Sequence, residues 1–348
     1  MAQLRILHLV GSPTCSIYGE LSVLYAAGCL YALDDPAQYE VLIALVTPDG
    51  LWRFPVSLER AAVDAAPAMG MAAALARLAQ AGIDVAVPHL FCLAGMTHYR
   101  AVFDVLKIPY LGNRPLQMAL AADKAMTRHL VAAAGVRVPA AELLRRGDSL
   151  PPLSLSLPVV VKPNDADNSD GLTLVYSSDA YPAAVALALS FSEQALVESF
   201  IPLGREVRCG IVVEAGRLRL LPLEEYWLDA NARPVRTRAD KLKRDDQQGL
   251  VLVAKEASQA WIVPIDDPIV PAVWEAARLC HTALGCQQYS LFDFRLDPQG
   301  RVWFLEAGLY CSFSPKSVLV SMMAAAGTPL NVFFRTAIDN ALQVRPTR

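Results

Sequence analysis

The sequence predicts an α/β protein whose C-terminal half has α+β character. The opening run LRILHLV, residues 4–10, has the pattern of a buried strand that ends at Gly11-Ser12, and a helical segment follows from Glu20 to Leu33. A strand that leads through small residues into a helix is typical of an α/β unit. In the second half, strand-like runs are joined by short turns and form hairpins instead.

The composition narrows the class of protein. The chain of 348 residues is 54% hydrophobic and 19% charged with a formal net charge of −3, which predicts a folded protein without a broad basic surface for nucleic acid. Its apolar segments are too short, or too often interrupted by charges, for a signal sequence or a membrane span, so we expect a cytoplasmic protein. Seven cysteines without a CxxC pair predict reduced thiols. The expected partners are therefore small molecules.

The first third continues the α/β pattern up to a break at Gly112-Asn113. Glu20 is predicted at the start of the first helix, where a carboxylate either favours the positive end of the helix dipole or meets a ligand. His89 follows a strand and is either a ligand contact or an ordinary loop histidine. Additional strands and helices are predicted at 39–46, 85–93 and 109–111, and at 71–81 and 97–106.

A new helix is predicted after the break, with proline in its first turn at Pro115, running to Ala134 as one element that carries Lys124. Helix lysines are usually solvated, so Lys124 gains interest only from other residues. A linker rich in Pro, Ser and Leu, residues 138–158, is predicted to follow.

The apolar strand Pro158–Pro163 carries Lys162 near its end and leads into the polar loop NDADNSDG. Backbone N–H groups of this loop and the hydroxyl of Ser169 are suited to phosphate, while Gly171 permits a close approach. The loop does not match a Walker A sequence, and a solvated hairpin loop is the alternative.

Glu198, Phe200 and Ile201 lie at the end of the next strand and are suited to a flat heteroaromatic ring such as adenine. Glu206 begins another strand. The polar segment 229–249 is either a solvated loop or a mobile cationic lid over a phosphate site.

A β-hairpin is predicted from Tyr289 to Leu305 around the turn Asp297-Pro298-Gln299-Gly300. If it closes at Pro298 and Gln299, Glu306 lies opposite Leu291, diagonally about 7–8 Å from Asp293. Two carboxylates in apolar strands suit a shared Mg²⁺ ion, and exposure of both to solvent is the alternative. Beyond the hairpin, Ser317 is a candidate N-cap of a helix over 318–326, and another helix is predicted over 330–341.

Taken together, these motifs resemble the ATP-grasp superfamily and, within it, the D-alanine–D-alanine ligase family. The resemblance rests on the order and spacing of IPYLGN, the Asp123-Lys124 pair, VVVKP with its loop, VESFI with Glu206, FDF, and FLEAG. It implies an ATP-grasp fold of three domains, 1–112, 113–197 and 198–348, with the nucleotide between the central and C-terminal domains. It also implies ATP and Mg²⁺, or Mn²⁺, as cofactors, and a homodimer is possible.

The resemblance assigns roles to residues that match the family's motifs. Lys124 and Lys162 would hold the phosphates, and the loop 164–171, with Ser169 and Gly171, would close over them. Glu198 and Glu206, with Phe200 and Ile201, would bind adenine and ribose, and Asp293 and Glu306 would bind the metal. Lys241, Ser169 and Glu20 would take part in catalysis. Glu20 and His89 would contact the first substrate, and Lys316 and Ser317 would bind the carboxylate of the second.

Three positions depart from the family's pattern. The family has asparagine where this chain has Gly308, an arginine that stabilises the acyl-transfer oxyanion where it has Leu291, and a tyrosine where it has Leu242.

With LHLVGS, WRFP and GLYCSFSPKS, the chain is similar to the branch that joins an amino acid to mycosporine-glycine. That similarity implies phosphorylation of a ring ketone by ATP, displacement of phosphate by serine, threonine or a similar amino acid, and an imine product. The alternatives are a dipeptide ligase that forms an acyl phosphate and a non-catalytic ATP-binding regulatory protein; the retained carboxylates and lysines argue against the latter.

Overall fold

The N-terminal region is a four-stranded sheet with helices around it. The computed structural model describes residues 3–167, 169–236, 242–244, 250–252 and 259–343. Strand β1 pairs in parallel with β2 and β4, while the short β3 runs antiparallel to β2 at the edge. The strands are β1 Leu4–Gly11, β2 Tyr39–Val46, β3 Trp52–Arg53 and β4 Val85–Pro88, in the order β3-β2-β1-β4. The helices are α1 Ser16–Ala32, α2 Arg60–Ala65, α3 Met71–Gln80 and α4 Arg100–Leu106, the last preceded by a π-helical turn, Gly95–Tyr99.

Two sequence predictions for this region are wrong. Helix α1 begins at Ser16, so Glu20 lies one turn inside the helix and not at its start. A carboxylate at this position lies outside the first turn, where its interaction with the helix dipole would be strongest. The run 109–111 forms only an isolated bridge between Tyr110 and Ala86, because Pro109 has no N–H to donate to a ladder.

The predicted helix 115–134 is broken in two at Asp123. Helix α5 spans Pro115–Ala122 and helix α6 spans Lys124–Ala133. Asp123 is non-helical, with φ −85° and ψ 101°, and its carboxylate accepts a hydrogen bond of 2.8 Å from the Met126 N–H. This N-cap makes Lys124 the first residue of a helix rather than a residue in the middle of one.

An antiparallel four-stranded sheet forms the middle of the chain. Its order is β5-β8-β6-β7. The predicted linker is wrong in part, because Ala141–Arg145 forms strand β5, which pairs with β8 over five residues at the edge of the sheet. The other elements are β6 Val159–Pro163, β7 Thr173–Val175, a 3₁₀ turn at Ser178–Ala180, α7 Tyr181–Phe191 and β8 Gln194–Ser199.

A six-stranded sheet dominates the C-terminal part, with the main path β14-β11-β9-β15-β16 and β10 paired with β9. On one side, Phe292, Phe294 and Phe304 form a buried core with residues of α6 and α8. The strands are β9 Arg205–Glu214, β10 Arg217–Leu220, β11 Glu224–Tyr226, β14 Ala260–Ile262, β15 Tyr289–Leu296 and β16 Val302–Gly308, with β12 Leu242–Arg244 and β13 Leu250–Leu252 as a separate pair. The helices are α8 Val270–Ala283, α9 Val318–Ala325 and α10 Leu330–Gln343.

The β15–β16 hairpin is present, but its predicted register is wrong. The Asp297 N–H donates to the Arg301 carbonyl at 3.1 Å, and Gly300 has φ 75°, so the turn has three residues and not two. A β-bulge next to Phe294 shifts the register once more. As a result, Glu306 lies directly opposite Asp293, and Leu291 lies opposite Gly308.

All seven cysteines are free thiols, as predicted, and five of them are buried. Within the described ranges, no single helix has the length and apolarity to cross a membrane. Helices α9 and α10 reach that threshold only when they are taken together, and they are bent by 112° relative to one another.

Candidate active site

A cavity between the middle sheet and the C-terminal sheet brings together most of the residues predicted to bind a nucleotide. Its walls include both lysines, the strand end at 198–201, and both carboxylates predicted to bind metal. The predicted residues that line it are Lys124, Lys162, Ser169, Glu198, Phe200, Ile201, Glu206, Asp293 and Glu306. Gly171 is adjacent to lining residues but does not itself line the cavity, and Lys241 lies outside the described residues.

Lys124 projects into the cavity from the start of α6. Its Nζ donates to the Ala166 carbonyl at 2.6 Å and lies 3.3 Å from Glu306 Oε1. Burial alone would lower the pKa of Lys124, but the charges of Glu306 and Asp167 outweigh it and raise that pKa. The ammonium is therefore a permanent positive charge between the loop and the C-terminal sheet.

Lys162 faces Glu198 on the neighbouring strand, with Nζ 2.6 Å from Oε2. Arg128, which the sequence analysis missed, approaches the same carboxylate from α6, with Nε 3.6 Å from Oε1. Both Lys162 and Glu198 are buried. Glu198 therefore holds Lys162 in position in addition to its predicted role in adenine binding.

A second missed arginine organises the region predicted to bind the base and ribose. Arg295 donates to Glu206 Oε2 from Nη2 at 2.5 Å and from Nε at 3.2 Å. It also donates to the Ile201 carbonyl at 3.1 Å, and its guanidinium lies over the Phe200 ring, 5.4 Å from the centroid. This buried arginine fixes Glu206, Ile201 and Phe200 relative to one another, because it contacts all three.

Asp293 and Glu306 fit a hard divalent cation, although each also has a protein cation beside it. The two residues are paired across β15 and β16 and line the same cavity. Arg208 Nε donates to Asp293 Oδ1 at 2.8 Å, while Lys124 lies beside Glu306. Oxygen donors near two lysines suit a metal that also contacts phosphate. A sequence signal for Arg208 did exist, because it lies two residues after Glu206 in an apolar strand and therefore on the same face.

The predicted phosphate loop is anchored at its first residue. Asn164 accepts hydrogen bonds from the Lys124 N–H at its carbonyl, 3.0 Å, and from the Ala125 N–H at its side chain, 2.8 Å. Ser169 has φ 60° and Gly171 has φ 71°. The loop is therefore tied to α6, while left-handed residues shape its far end; Asn168 lies outside the described residues.

The four residues predicted to contact substrates do not line this cavity. Glu20 is exposed on α1, and Lys316 is exposed beside the buried Ser317, whose Oγ is 3.5 Å from Cys311 Sγ. His89 is fully buried, with Nε2 3.0 Å from Nδ1 of His8. Their roles in substrate binding remain predictions.

An aromatic cluster that was not predicted from the sequence joins the N-terminal region to the segment after β16. Phe91 packs against Tyr25 and Tyr310, with ring centroids 5.4 Å and 5.3 Å apart. Burial raises the pKa of Tyr25 to about 12, and the charge of Arg208 partly opposes this shift. Tyr310 is 40% exposed, so the cluster presents an aromatic surface next to the charged site.

Comparison with known proteins identifies a matching family model and relatives that align with most of this chain. Residues 130–339 match the family model described as D-ala D-ala ligase C-terminus. The D-alanine–D-alanine ligase of Mycolicibacterium gilvum is 28% identical over 366 aligned positions, covering 94% of this chain and 96% of that protein. The D-alanine–D-alanine ligase A of Mesorhizobium japonicum is 29% identical, covering 93% of each chain.

Solved structures share the fold over nearly the full length. The VanG D-Ala:D-Ser ligase of Enterococcus faecalis has a TM-score of 0.78 at 21% identity, covering 98% of this chain and all of that chain. The D-alanine–D-alanine ligase of Coxiella burnetii has a TM-score of 0.76 at 16% identity, covering 99% and 95% of the two chains. The predicted ATP-grasp fold is thereby confirmed.

Proposed function

This chain belongs to the D-alanine–D-alanine ligase family of ATP-dependent C–N ligases, and we propose from that premise that it activates an acceptor oxygen with ATP and joins the acceptor to an amino acid. The observation that carries the proposal is the single cavity that contains Lys124, Lys162, Asp293 and Glu306. Two lysines and two carboxylates in one cavity are the groups that phosphoryl transfer needs for positioning and for neutralising charge.

We assign the residues as follows. Lys124 and Lys162 hold the phosphates, and Asp293 and Glu306 hold Mg²⁺ or Mn²⁺, which neutralises phosphate charge when bound. Glu198, Phe200, Ile201 and Glu206 bind the nucleoside. Ser169 and Gly171, in the loop 164–171, cover the phosphates, and Lys241 acts at the γ-phosphate. Glu20, His89, Lys316 and Ser317 remain candidates for the amino acid side of the site.

The domain division 1–112, 113–197 and 198–348 is also part of this proposal, with the nucleotide between the second and third domains. Helices α5 and α6 belong to the second domain in this division, although Met118, Ala121 and Val131 share a core with the C-terminal sheet. The use of ATP and free amino acids suits a cytoplasmic enzyme, and a homodimer is the proposed assembly.

The leading candidate reaction is dipeptide formation through an acyl phosphate. The named relatives that cover more than nine-tenths of this chain support it, since they are D-alanine–D-alanine ligases. In this reaction the γ-phosphoryl group moves from ATP to a carboxylate oxygen. The amine of the second amino acid then attacks the carbonyl carbon, inorganic phosphate leaves, and the amine loses a proton.

The second candidate is condensation of an amino acid, serine, threonine or a similar one, with mycosporine-glycine. The row Gly210–Leu291–Gly308 across β9, β15 and β16 favours this reaction. Leu291 stands where the family has the arginine that stabilises the acyl-transfer oxyanion, and the row carries no polar side chain beside Asp293 and Glu306. The aromatic cluster of Tyr25, Phe91 and Tyr310 also suits a flat conjugated ring. A Cβ atom at Gly308 would have only the Leu291 carbonyl within 4 Å, at 3.9 Å, so lack of space does not explain the missing asparagine.

The test uses purified protein, ATP and Mg²⁺ with either D-alanine alone or mycosporine-glycine and single amino acids. ADP release with D-alanine, together with a dipeptide product identified by mass, supports the leading candidate. ADP release that requires mycosporine-glycine, with a red-shifted ultraviolet spectrum, supports the second. ATP binding without turnover of any pair contradicts both and favours the non-catalytic alternative.

A further inference from the structure

Two parallel rows of residues cross the C-terminal sheet at the metal site. Arg208, Asp293 and Glu306 face one another on β9, β15 and β16. Two residues along each of β9, β15 and β16, and therefore on the same face of the sheet, lies the row Gly210–Leu291–Gly308. The first row carries one cation and two anions, while the second carries no charge. The arginine in the same row as Asp293 thus comes from β9, while β15 carries Arg295 on this face in the next row, opposite Glu206.

The guanidinium of Arg208 is held on several sides. Besides its 2.8 Å hydrogen bond from Nε to Asp293, Nη1 lies 3.9 Å from Glu224 Oε2. The group lies over the Tyr226 ring, 4.7 Å from the centroid, and the Tyr226 hydroxyl donates to Glu224 at 2.5 Å. Only 15% of the Arg208 side chain is exposed. Because an arginine has five N–H donors, the bond to Asp293 uses only one of them.

Arg208 reaches the nucleotide cavity through Asp293, which lines it. The charge of Arg208 also opposes the rise in pKa that burial causes in Tyr25 and Tyr310 of the aromatic cluster. The reacting atoms of a ligase must meet between its nucleotide and its substrates. A fixed guanidinium that binds a residue of this cavity and has unused N–H donors is suited to stabilise negative charge that develops during transfer.

We propose that Arg208 is the cation of the transfer site: its Nε–H positions Asp293 for the metal, and its remaining N–H donors stabilise the negative charge that develops on oxygen when the amine attacks the activated acceptor and phosphate leaves. The inference rests on the proposed function. In the transfer step, the amine nitrogen bonds to the acceptor carbon, and the bond from that carbon to the phosphate oxygen breaks. The electron pair leaves with phosphate, and the amine releases one proton. Arg208 contributes charge and geometry and exchanges no proton.

The test replaces Arg208 with glutamine, lysine or alanine in the full chain. Loss of one oxyanion donor lowers kcat by about 10²–10³-fold, so we expect Arg208→Gln to fall in that range. Arg208→Lys retains the charge without the fork of donors and should lose less. For Arg208→Ala, added methylguanidinium should restore a measurable part of kcat, which a purely structural arginine would not permit. Mg²⁺-free ATP binding should change less than threefold in all three variants.

The matched control is Arg219→Gln on β10, which removes an ion pair with Glu214 at the end of β9, and neither residue lines the cavity. It should keep the wild-type kcat. If the wild type turns over D-alanine or mycosporine-glycine with an amino acid and Arg208→Gln stays within threefold of it, the role of Arg208 is refuted and the function stands. If the wild type releases no ADP with either substrate set, the proposed function fails, and the role of Arg208 fails with it.

Discussion

Single side chains decide the electrostatics of the cavity, and each carboxylate predicted to bind metal lies beside a cation of the protein. Arg208 lies 2.8 Å from Asp293, and Lys124 lies 3.3 Å from Glu306. Removal of one partner from such a pair leaves the other charge in a partly buried site, which is costly. The carboxylates therefore contribute to the stability of the cavity as well as to the proposed metal site.

The first prediction separates these two contributions. Asp293→Asn and Glu306→Gln should lower ADP release by at least 100-fold, because each removes an anionic ligand that Mg²⁺ needs. The amide replacements preserve shape, so circular dichroism should be unchanged and the loss of stability should stay within about 1–3 kcal/mol. The control is Glu275→Gln, an exposed carboxylate on α8 paired with Arg278. Wild-type turnover in both cavity variants would contradict the metal assignment.

The second prediction concerns the buried histidine pair. Burial lowers the pKa of His8 to about 4 and places that of His89 well below its usual value. In the unfolded chain each histidine titrates near 6.5. Between about pH 6.5 and 4 the unfolded state thus binds more protons, and the free energy of unfolding falls as pH falls. One histidine contributes up to about 1.4 kcal/mol per pH unit to this slope.

Urea denaturation at several pH values between 7 and 5 measures the effect. His8→Gln should make the slope shallower, since it removes one of the three buried histidines, His8, His89 and His281, whose pKa burial lowers. His98→Gln, which replaces an exposed histidine, should leave the slope unchanged. Equal slopes for the wild type and His8→Gln would show that the buried pair is not the source of acid sensitivity.

Elements were predicted from the sequence more reliably than their junctions and registers. Apolar periodicity located the β15–β16 hairpin and both final helices, because burial of one face gives strands a period of two and helices a period of about 3.6. It did not reveal the break at Asp123, since a single capping hydrogen bond decides it. The register of Glu306 depends on a three-residue turn and a bulge, neither of which changes the hydrophobic pattern. Arg128 and Arg295 were missed because their partners, Glu198 and Glu206, are far away in the sequence, whereas Arg208 could have been found from its position two residues after Glu206.

The third prediction tests the loop element, residues 164–171, through Gly171. Its φ of 71° disfavours a side chain, and an added Cβ would lie 2.8 Å from atoms of Pro163 and Phe191. Strain of about 1–2 kcal/mol at the end of the loop should weaken ATP binding roughly 10-fold. Isothermal titration of Gly171→Ala with ATP and Mg²⁺ measures this.

Gly147→Ala is the matched control for that experiment. Gly147 also has a left-handed φ, 88°, but nothing lies within 4 Å of its added Cβ. It should cost stability without changing ATP affinity. If both variants bind ATP as the wild type does, the end of the loop does not shape the nucleotide site.

The N-terminal and C-terminal regions share one hydrophobic core. Ile6, Val85 and Val87 of the first sheet pack in the same cluster as Phe313 and Phe333 from the C-terminal region. Above this core, the Gly112 N–H donates to Gln288 Oε1 at 2.9 Å, which adds a polar connection between the two regions. We therefore expect the two regions to unfold together.

The last prediction concerns Asn113, which fastens that junction. Its side chain is fully buried and donates to the carbonyls of Tyr289 and Leu309 at 2.7 Å and 3.1 Å, while accepting from the Gln287 N–H at 2.7 Å. Asn113→Ala leaves two buried carbonyls and one half-buried N–H without these partners, at about 1–3 kcal/mol each if water does not replace them. We expect urea unfolding to show a loss of roughly 3–5 kcal/mol in the free energy of unfolding, summed from that range after partial relaxation.

The control, Asn331→Ala on the exposed side of α10, should stay within about 0.5 kcal/mol of the wild type. A loss below about 1 kcal/mol for Asn113→Ala would mean that the shared apolar core alone holds the two regions together, since one ordinary hydrogen bond contributes about that much.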